Sequence, residues 1–210
     1  MSEKITIDIS DNGPFIITGL EKLRNSRGEM IECKEKMALC RCGGSSNKPF
    51  CDGTHSKNGF SGERMSEKNI HNERSYEGKD ITINDNRTIC SHSAECVKNL
   101  NKVFDTDKKP WITPDNATAE EIMKVIKRCP SGALSYTVSG RQVRNFDREK
   151  EITVSKNGPY NVKGGIHLNV EKELQPPASE HFALCRCGAS KNKPYCDGSH
   201  SGINFTDESN

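Results

Sequence analysis

The chain has 210 residues, 32% of them hydrophobic and 29% charged, with a formal net charge of +2 and a mean hydropathy of −0.78. Such a balance gives no reason to expect nucleic acid or a membrane surface as a partner. No stretch approaches the roughly 20 apolar residues of a membrane span, and the opening MSEKITIDISDNG lacks the apolar core of a secretory signal. A soluble, cytoplasmic protein is expected. In a reducing compartment its ten cysteines are read as metal ligands before disulfides.

Residues 4–9 (KITIDI) alternate apolar and polar, the period of a half-buried strand. Asp11-Asn12-Gly13-Pro14 makes a turn, and FIIT continues as a second strand. LCRCGGSSNKPFCDGTH follows from Leu39 to His55, with a short helix expected from near Asp52. Residues 61–77 are polar and aperiodic and read as a linker. DITIN at 80–84 reads as a strand and residues 93–100 as a short helix. PDNATAEEIMKVIKRCP predicts a longer helix capped by Asp115 or Asn116. Glu120 and Glu121 suit its N-terminal dipole, and Ile122, Val125, Ile126 and Cys129 share one face. Pro130 stops it, and residues 135–146 read as a hairpin about Ser139-Gly140. EITV at 151–154, an NGP turn and YNVKG then restart the opening pattern, and LCRCGASKNKPYCDGSH runs from Leu184 to His200.

The repetition is wider than the cysteines. NGPF at Asn12–Phe15 answers NGPY at Asn157–Tyr160, and Phe60 answers Phe205, all at the separation that relates Cys40 to Cys185. An ungapped match over about fifty residues is an internal duplication. The chain therefore divides into a first unit at 1–62, a linker at 63–78, an α+β insert at 79–147 and a second unit at 148–210. Units of roughly 60 residues have marginal apolar cores, and a bound metal is a common remedy.

Cys40 and Cys42, like Cys185 and Cys187, place two thiols one residue apart. Cys51 and His55, like Cys196 and His200, are four apart, which on a helical turn puts both on one face. Asp52 and Asp197 are placed to accept backbone N–H bonds at the start of that turn. Three sulfurs and one nitrogen are a common structural zinc set, although zinc knuckles usually use C-x-x-C. Ligand counting alone leaves the metal open.

The pattern C-x-C-x-x-S-x-x-x-P-x-C-D-G-[ST]-H fits both stretches without a gap, including Ser45, Pro49, Ser190 and Pro194. It resembles the CDGSH iron–sulfur domain of the NEET family; the first copy departs only in reading CDGTH. The resemblance implies a 2Fe–2S cluster in each copy. Cys40 and Cys42 would hold the inner iron, with Cys51 and His55 on the outer one. Cys185, Cys187, Cys196 and His200 would do the same in the second copy. It also implies an α+β fold in which two β-rich NEET-type units pack as an internal pseudo-dimer, so that a monomer is expected. Neither end shows the membrane anchor found in the family, so a membrane location is not carried over. Histidine ligation should raise the potential above that of a plant-type ferredoxin. Arg41 and Arg186, between the paired cysteines, push the same way unless they are simply solvated.

In the insert, Cys90, Ser93 and Cys96 keep the C-x-x-C-x-x-C spacing of a bacterial ferredoxin with serine at the second position, and Cys129-Pro130 supplies the remote C-P. With PWITPD and CPSGAL, this stretch resembles a divergent single-cluster ferredoxin domain. Three cysteines imply a 3Fe–4S cluster, or a 4Fe–4S cluster whose labile iron takes Ser93, His92 or an outside ligand; the alternative is that the insert binds nothing. His92 is otherwise a surface histidine. Cys33, outside every set, reads as a free, partly buried thiol, and His71, His167 and His181 read as solvated.

The expected protein is an electron carrier, or a store and donor of clusters, rather than an enzyme. It would work with a redox partner protein or an apo-protein acceptor. The rival is a zinc-stabilised interaction module without redox activity. Imidazole nitrogen binds iron or a proton but not both. Mild acid is therefore expected to bleach the protein, and His55→Cys combined with His200→Cys to protect it; equal acid lability of the double variant in absorbance would contradict this.

Overall fold

The alternating opening of each repeat folds into antiparallel hairpins, as its period requires. In the computed structural model, which describes residues 4–208 and 210, β1 (Thr6–Ile9) pairs with β2 (Phe15–Thr18), followed by the short strands β3 (Leu23–Arg24) and β4 (Met30–Ile31), and β5 (Lys36–Leu39). The insert supplies β6 (Arg74–Glu77), β7 (Thr82–Asp85), α1 (Glu95–Asn99), α2 (Ala119–Ile126), β8 (Leu134–Val138) and β9 (Arg141–Val143). The second unit contains β10 (Glu151–Val154), β11 (Tyr160–Lys163), β12 (His167–Leu168), β13 (His181–Leu184) and the four-residue α3 (Ser199–Gly202). The described residues are mostly β with few helices.

The two units exchange strands. One sheet has the order β12-β1-β2-β5 and the other β13-β11-β10-β3-β4. Thus β12 of the second unit lies parallel to β1, with Thr6 opposite His167, while β3 of the first lies parallel to β10, with Ile152 opposite Leu23. Each exchanged strand is only two residues long, yet Leu23 and Leu168 are both buried. Ile7, Phe15, Ile17 and Leu39 point inward from one sheet, and Ile152, Val154, Val162 and Leu184 from the other. Where the units meet, the rings of Phe15 and Tyr160 pack edge to face at 6.2 Å, and the Tyr160 hydroxyl faces Cys40 O at 3.0 Å and Pro49 O at 2.9 Å. The second unit thus reaches directly into the cysteine loop of the first.

The insert forms a separate antiparallel sheet, β6-β7-β8-β9, covered by α2 through Ile122, Val125 and Ile126. Three expectations change here. The stretch read as linker ends in β6, whose RSYE sequence shows no alternation because three of its four side chains are exposed on an edge strand. Helix α2 is capped by Thr118, whose side chain accepts from Glu121 N while Thr118 N donates to the Glu121 carboxylate; Pro114–Asn116 is a 3-10 turn of its own. The capping box T-x-x-E was present in the sequence but lay beyond the residues taken as caps. His181 is buried, not solvated, with its ring 5.6 Å from Phe146 and Nδ1 2.9 Å from Glu180. The hairpin turn at Ser139-Gly140 has positive φ at both residues, as a two-residue connection favours.

Because Leu23 is buried under a sheet it does not own, Leu23→Ala is expected to cost about 2–5 kcal/mol. Met30→Ala, on the neighbouring exposed strand position, should stay within about 0.5 kcal/mol. Urea unfolding of the two variants checks the contrast.

Candidate metal centres

Each cysteine loop leaves its last core strand and is tied back on itself by side chains named in the motif. Ser45 Oγ donates to Phe50 O at 2.6 Å and accepts from Asn47 N at 3.0 Å; Ser190 repeats this with Tyr195 O and Asn192 N at 2.7 and 3.1 Å. Asp52 accepts from Thr54 N and Ser46 N, and Asp197 from Ser199 N and Lys191 N, so one carboxylate fastens the CDG turn to the start of the loop. The Thr54 side chain first, and then these bonds, hold Asp52 well below the usual carboxylate range. The following turn is a 3-10 turn at Thr54–Ser56 in the first copy and α3 in the second.

The donors come in pairs. Cys40 Sγ lies 3.7 Å from Cys42 Sγ, and Cys185 Sγ 3.7 Å from Cys187 Sγ. Cys51 Sγ lies 3.3 Å from His55 Nδ1, and Cys196 Sγ 3.4 Å from His200 Nδ1. A tetrahedral metal with bonds of ~2.3 Å to sulfur and ~2.05 Å to nitrogen separates two sulfurs by ~3.8 Å, and sulfur from nitrogen by ~3.5 Å. All four pairs fit one metal atom each. Among the described residues, no three His, Cys, Asp or Glu side chains gather around a single point. Gly44 N, Gly53 N and Gly198 N each face a ligand sulfur at 3.4 Å, as donors that favour the thiolate.

Arg41 and Arg186 are not solvated. They are 4% and 2% exposed. Arg41 donates to Ser10 O and Gly13 O at 3.0 and 3.2 Å, and its guanidinium lies over the rings of Phe15 and Phe60. Burial pushes it down to about 10, so it stays charged at neutral pH. Arg186 donates to Gly158 O and Ser155 O, lies over Phe205 and pairs with the buried Asp207 at 2.5 Å. The echo of Phe60 in Phe205 is therefore a lid on each arginine. The two loops also touch each other: Cys42 and Cys187 form an antiparallel bridge, and a Cβ on Gly43 would lie 2.6 Å from Cys187 O.

The insert brings Cys90, Cys96 and Cys129 to one small cavity of about 20 Å³, which Ser93 also lines. Sequence reasoning missed Ser131, 3.7 Å from Cys129 Sγ, and Asp85, whose buried Oδ1 has no hydrogen-bond partner. Burial pushes the Asp85 carboxyl up to about 6 and, with Cys129 and Cys90 nearby, the Cys96 thiol up to about 11. His92 does not line this cavity. Cys33 is half-buried and free, as expected.

The CDGSH-type iron-binding zinc-finger family matches residues 12–56 and again 157–201, and the divergent 4Fe-4S mono-cluster family matches 76–139. The chain belongs to the CDGSH iron-binding family. Its two CDGSH units flank a divergent 4Fe–4S mono-cluster domain, and the whole points to an iron–sulfur protein. Uncharacterized protein YjdI of Escherichia coli strain K12 is 46% identical over 63 residues, 30% of this chain and 83% of YjdI, and YjdI of E. coli O157:H7 matches to the same extent. No solved structure matches the chain. No helix among the described residues is long and apolar enough to cross a membrane.

Breaking a buried ion pair by removing one partner typically costs about 3–5 kcal/mol, because the other charge is left in the interior. Asp207→Ala is expected to destabilise the second CDGSH unit by that order, read from the urea midpoint. A loss below about 1 kcal/mol, typical of a solvent-exposed pair, would contradict the role given to Arg186.

Proposed function

We propose that the protein is an iron–sulfur carrier with two 2Fe–2S clusters and a third, 3Fe–4S or 4Fe–4S, cluster in the insert. The observation that carries this reading is the grouping of the CDGSH donors into pairs at metal-spanning distances, two for each iron of a binuclear centre. Cys40 and Cys42 hold one iron of the first cluster, Cys51 and His55 the other; Cys185, Cys187, Cys196 and His200 serve the second. Cys90, Cys96 and Cys129 hold the third, with Ser93 or Asp85 beside its remaining iron. The strand exchange between β3 and β12 supports reading the two units as an internal pseudo-dimer, and the insert as a ferredoxin-like domain placed between its halves.

When bound, such clusters accept and release single electrons without bond rearrangement in the protein. The chain's own residues hold the donors in position. Arg41 and Arg186 fix the cysteine loops by bonds to the NGP turns, and their charge favours a more negative bound group. Electron transfer to a partner protein, or storage and hand-over of a cluster to an apo-protein, are the two forms of this work; no enzymatic activity is assigned. Cycles of anaerobic reduction and reoxidation test the carrier role. The colour should bleach and return, with sulfide retained, and Cys129→Ser should remove only the insert's share, about three or four irons. Failure of the colour to respond to reductant would reject it.

A further inference from the structure

The two CDGSH sites share one motif but not one environment. In the first, Cys42 and Cys51 are half-buried; in the second, the corresponding Cys187 and Cys196 are buried. The linker and the insert are both docked on the second unit. Asn192, inside the second cysteine loop, donates to Thr88 O at 2.8 Å, and Met65 N and Ser66 N donate to Lys191 O at 2.9 and 2.8 Å. Arg148 of the segment leaving the insert is paired with Glu180 of the second unit. Asn192 is buried, whereas its counterpart in the first loop, Asn47, is exposed.

The cover ends at one residue. His92, with φ +56, turns out of the Cys90–Cys96 loop and lays its ring on Gly198 of the CDG turn. A Cβ at Gly198 would stand 2.3 Å from His92 Nδ1, whereas one at the equivalent Gly53 would meet nothing within 4 Å. A cleft of about 470 Å³ remains between the insert and the second unit, bordered by His92 on one side and His200 on the other.

We propose that the two CDGSH sites have divided roles: the first is the exchange site, open to an iron acceptor, and the second is a retained site that His92 closes from the insert. This rests on the iron–sulfur reading above. The chemical basis is access. A chelating acceptor must reach the outer donor pair: Cys51 and His55 are both partly exposed, whereas at the second site His200 borders the cleft but Cys196 is buried, with His92 packed on the adjoining Gly198. His92 acts here as a positioning residue through its ring, not as a ligand.

The iron-loaded full chain is treated with a ferrous chelator and iodoacetamide, and cysteine labelling is mapped by peptide mass against time. Cys196 is expected to label about tenfold more slowly than Cys51, the ratio that a local opening costing ~1.4 kcal/mol imposes. His92→Gly should bring Cys196 to the rate of Cys51 while leaving Cys51 and Cys129 unchanged. His92→Phe, which keeps a ring over Gly198, should restore the slow rate. Equal rates at Cys51 and Cys196 in the unaltered chain would overturn the proposal, as would a slow Cys196 in His92→Gly or a fast one in His92→Phe. A chain that purifies without iron and sulfide overturns the iron–sulfur reading and this proposal together; an iron-loaded chain with equal rates overturns this proposal alone.

Discussion

A guanidinium taken out of water keeps its charge and must place its N–H groups on acceptors, and this requirement organises each half of the molecule. Arg41 sits between Cys40 and Cys42, so anything that fixes Arg41 fixes the two cysteines. It is fixed by the carbonyls of Ser10 and Gly13 in the NGP turn and by the faces of Phe15 and Phe60. Arg186 does the same with Ser155, Gly158 and Phe205, and adds the carboxylate of Asp207. Residues far apart in each repeat, from the turn to the segment after the histidine, are thereby held in one cage around the donors. The positive charge left inside favours an anionic guest, which a thiolate-bound iron–sulfur group is.

The strand exchange supplies what the cage cannot. Neither repeat can bury much apolar surface alone, and each completes its sheet with two residues of the other. Tyr160 then ties one unit's sheet to the other unit's cysteine loop. The two sites consequently share a framework, and the bridge between Cys42 and Cys187 makes them contiguous through the backbone. The insert breaks the symmetry by docking on the second half, which a reading of the motifs, alike in both copies but for CDGTH in the first, gives no means to anticipate.

The repeat, the hairpins that open it, the close cysteine–cysteine and cysteine–histidine pairs and the amphipathic helix α2 were all legible in the sequence, because each is written in local spacing. Ser45, Ser190, Asp52 and Asp197 belong to the same class: their partners lie within six residues. What was not legible depends on distant contacts. Arg41 and Arg186 looked like surface cations because most of their acceptors are backbone carbonyls, which carry no residue signature, and the one carboxylate, Asp207, lies 21 residues from Arg186. His181 looked solvated because the Phe146 that covers it belongs to another part of the chain. Strand β6 hid in a polar stretch because an edge strand needs no alternation when most of its side chains face water. His92 was weighed only against the cysteines flanking it, while its neighbour in space is Gly198.

The central claim is that the paired donors hold iron and sulfide, and the most direct test is the iron, zinc and acid-labile sulfide content per chain of protein purified without oxygen. The account predicts about four irons and four sulfides from the CDGSH sites, and about three or four further irons with four sulfides from the insert. Zinc without sulfide would contradict it and leave a structural module in its place.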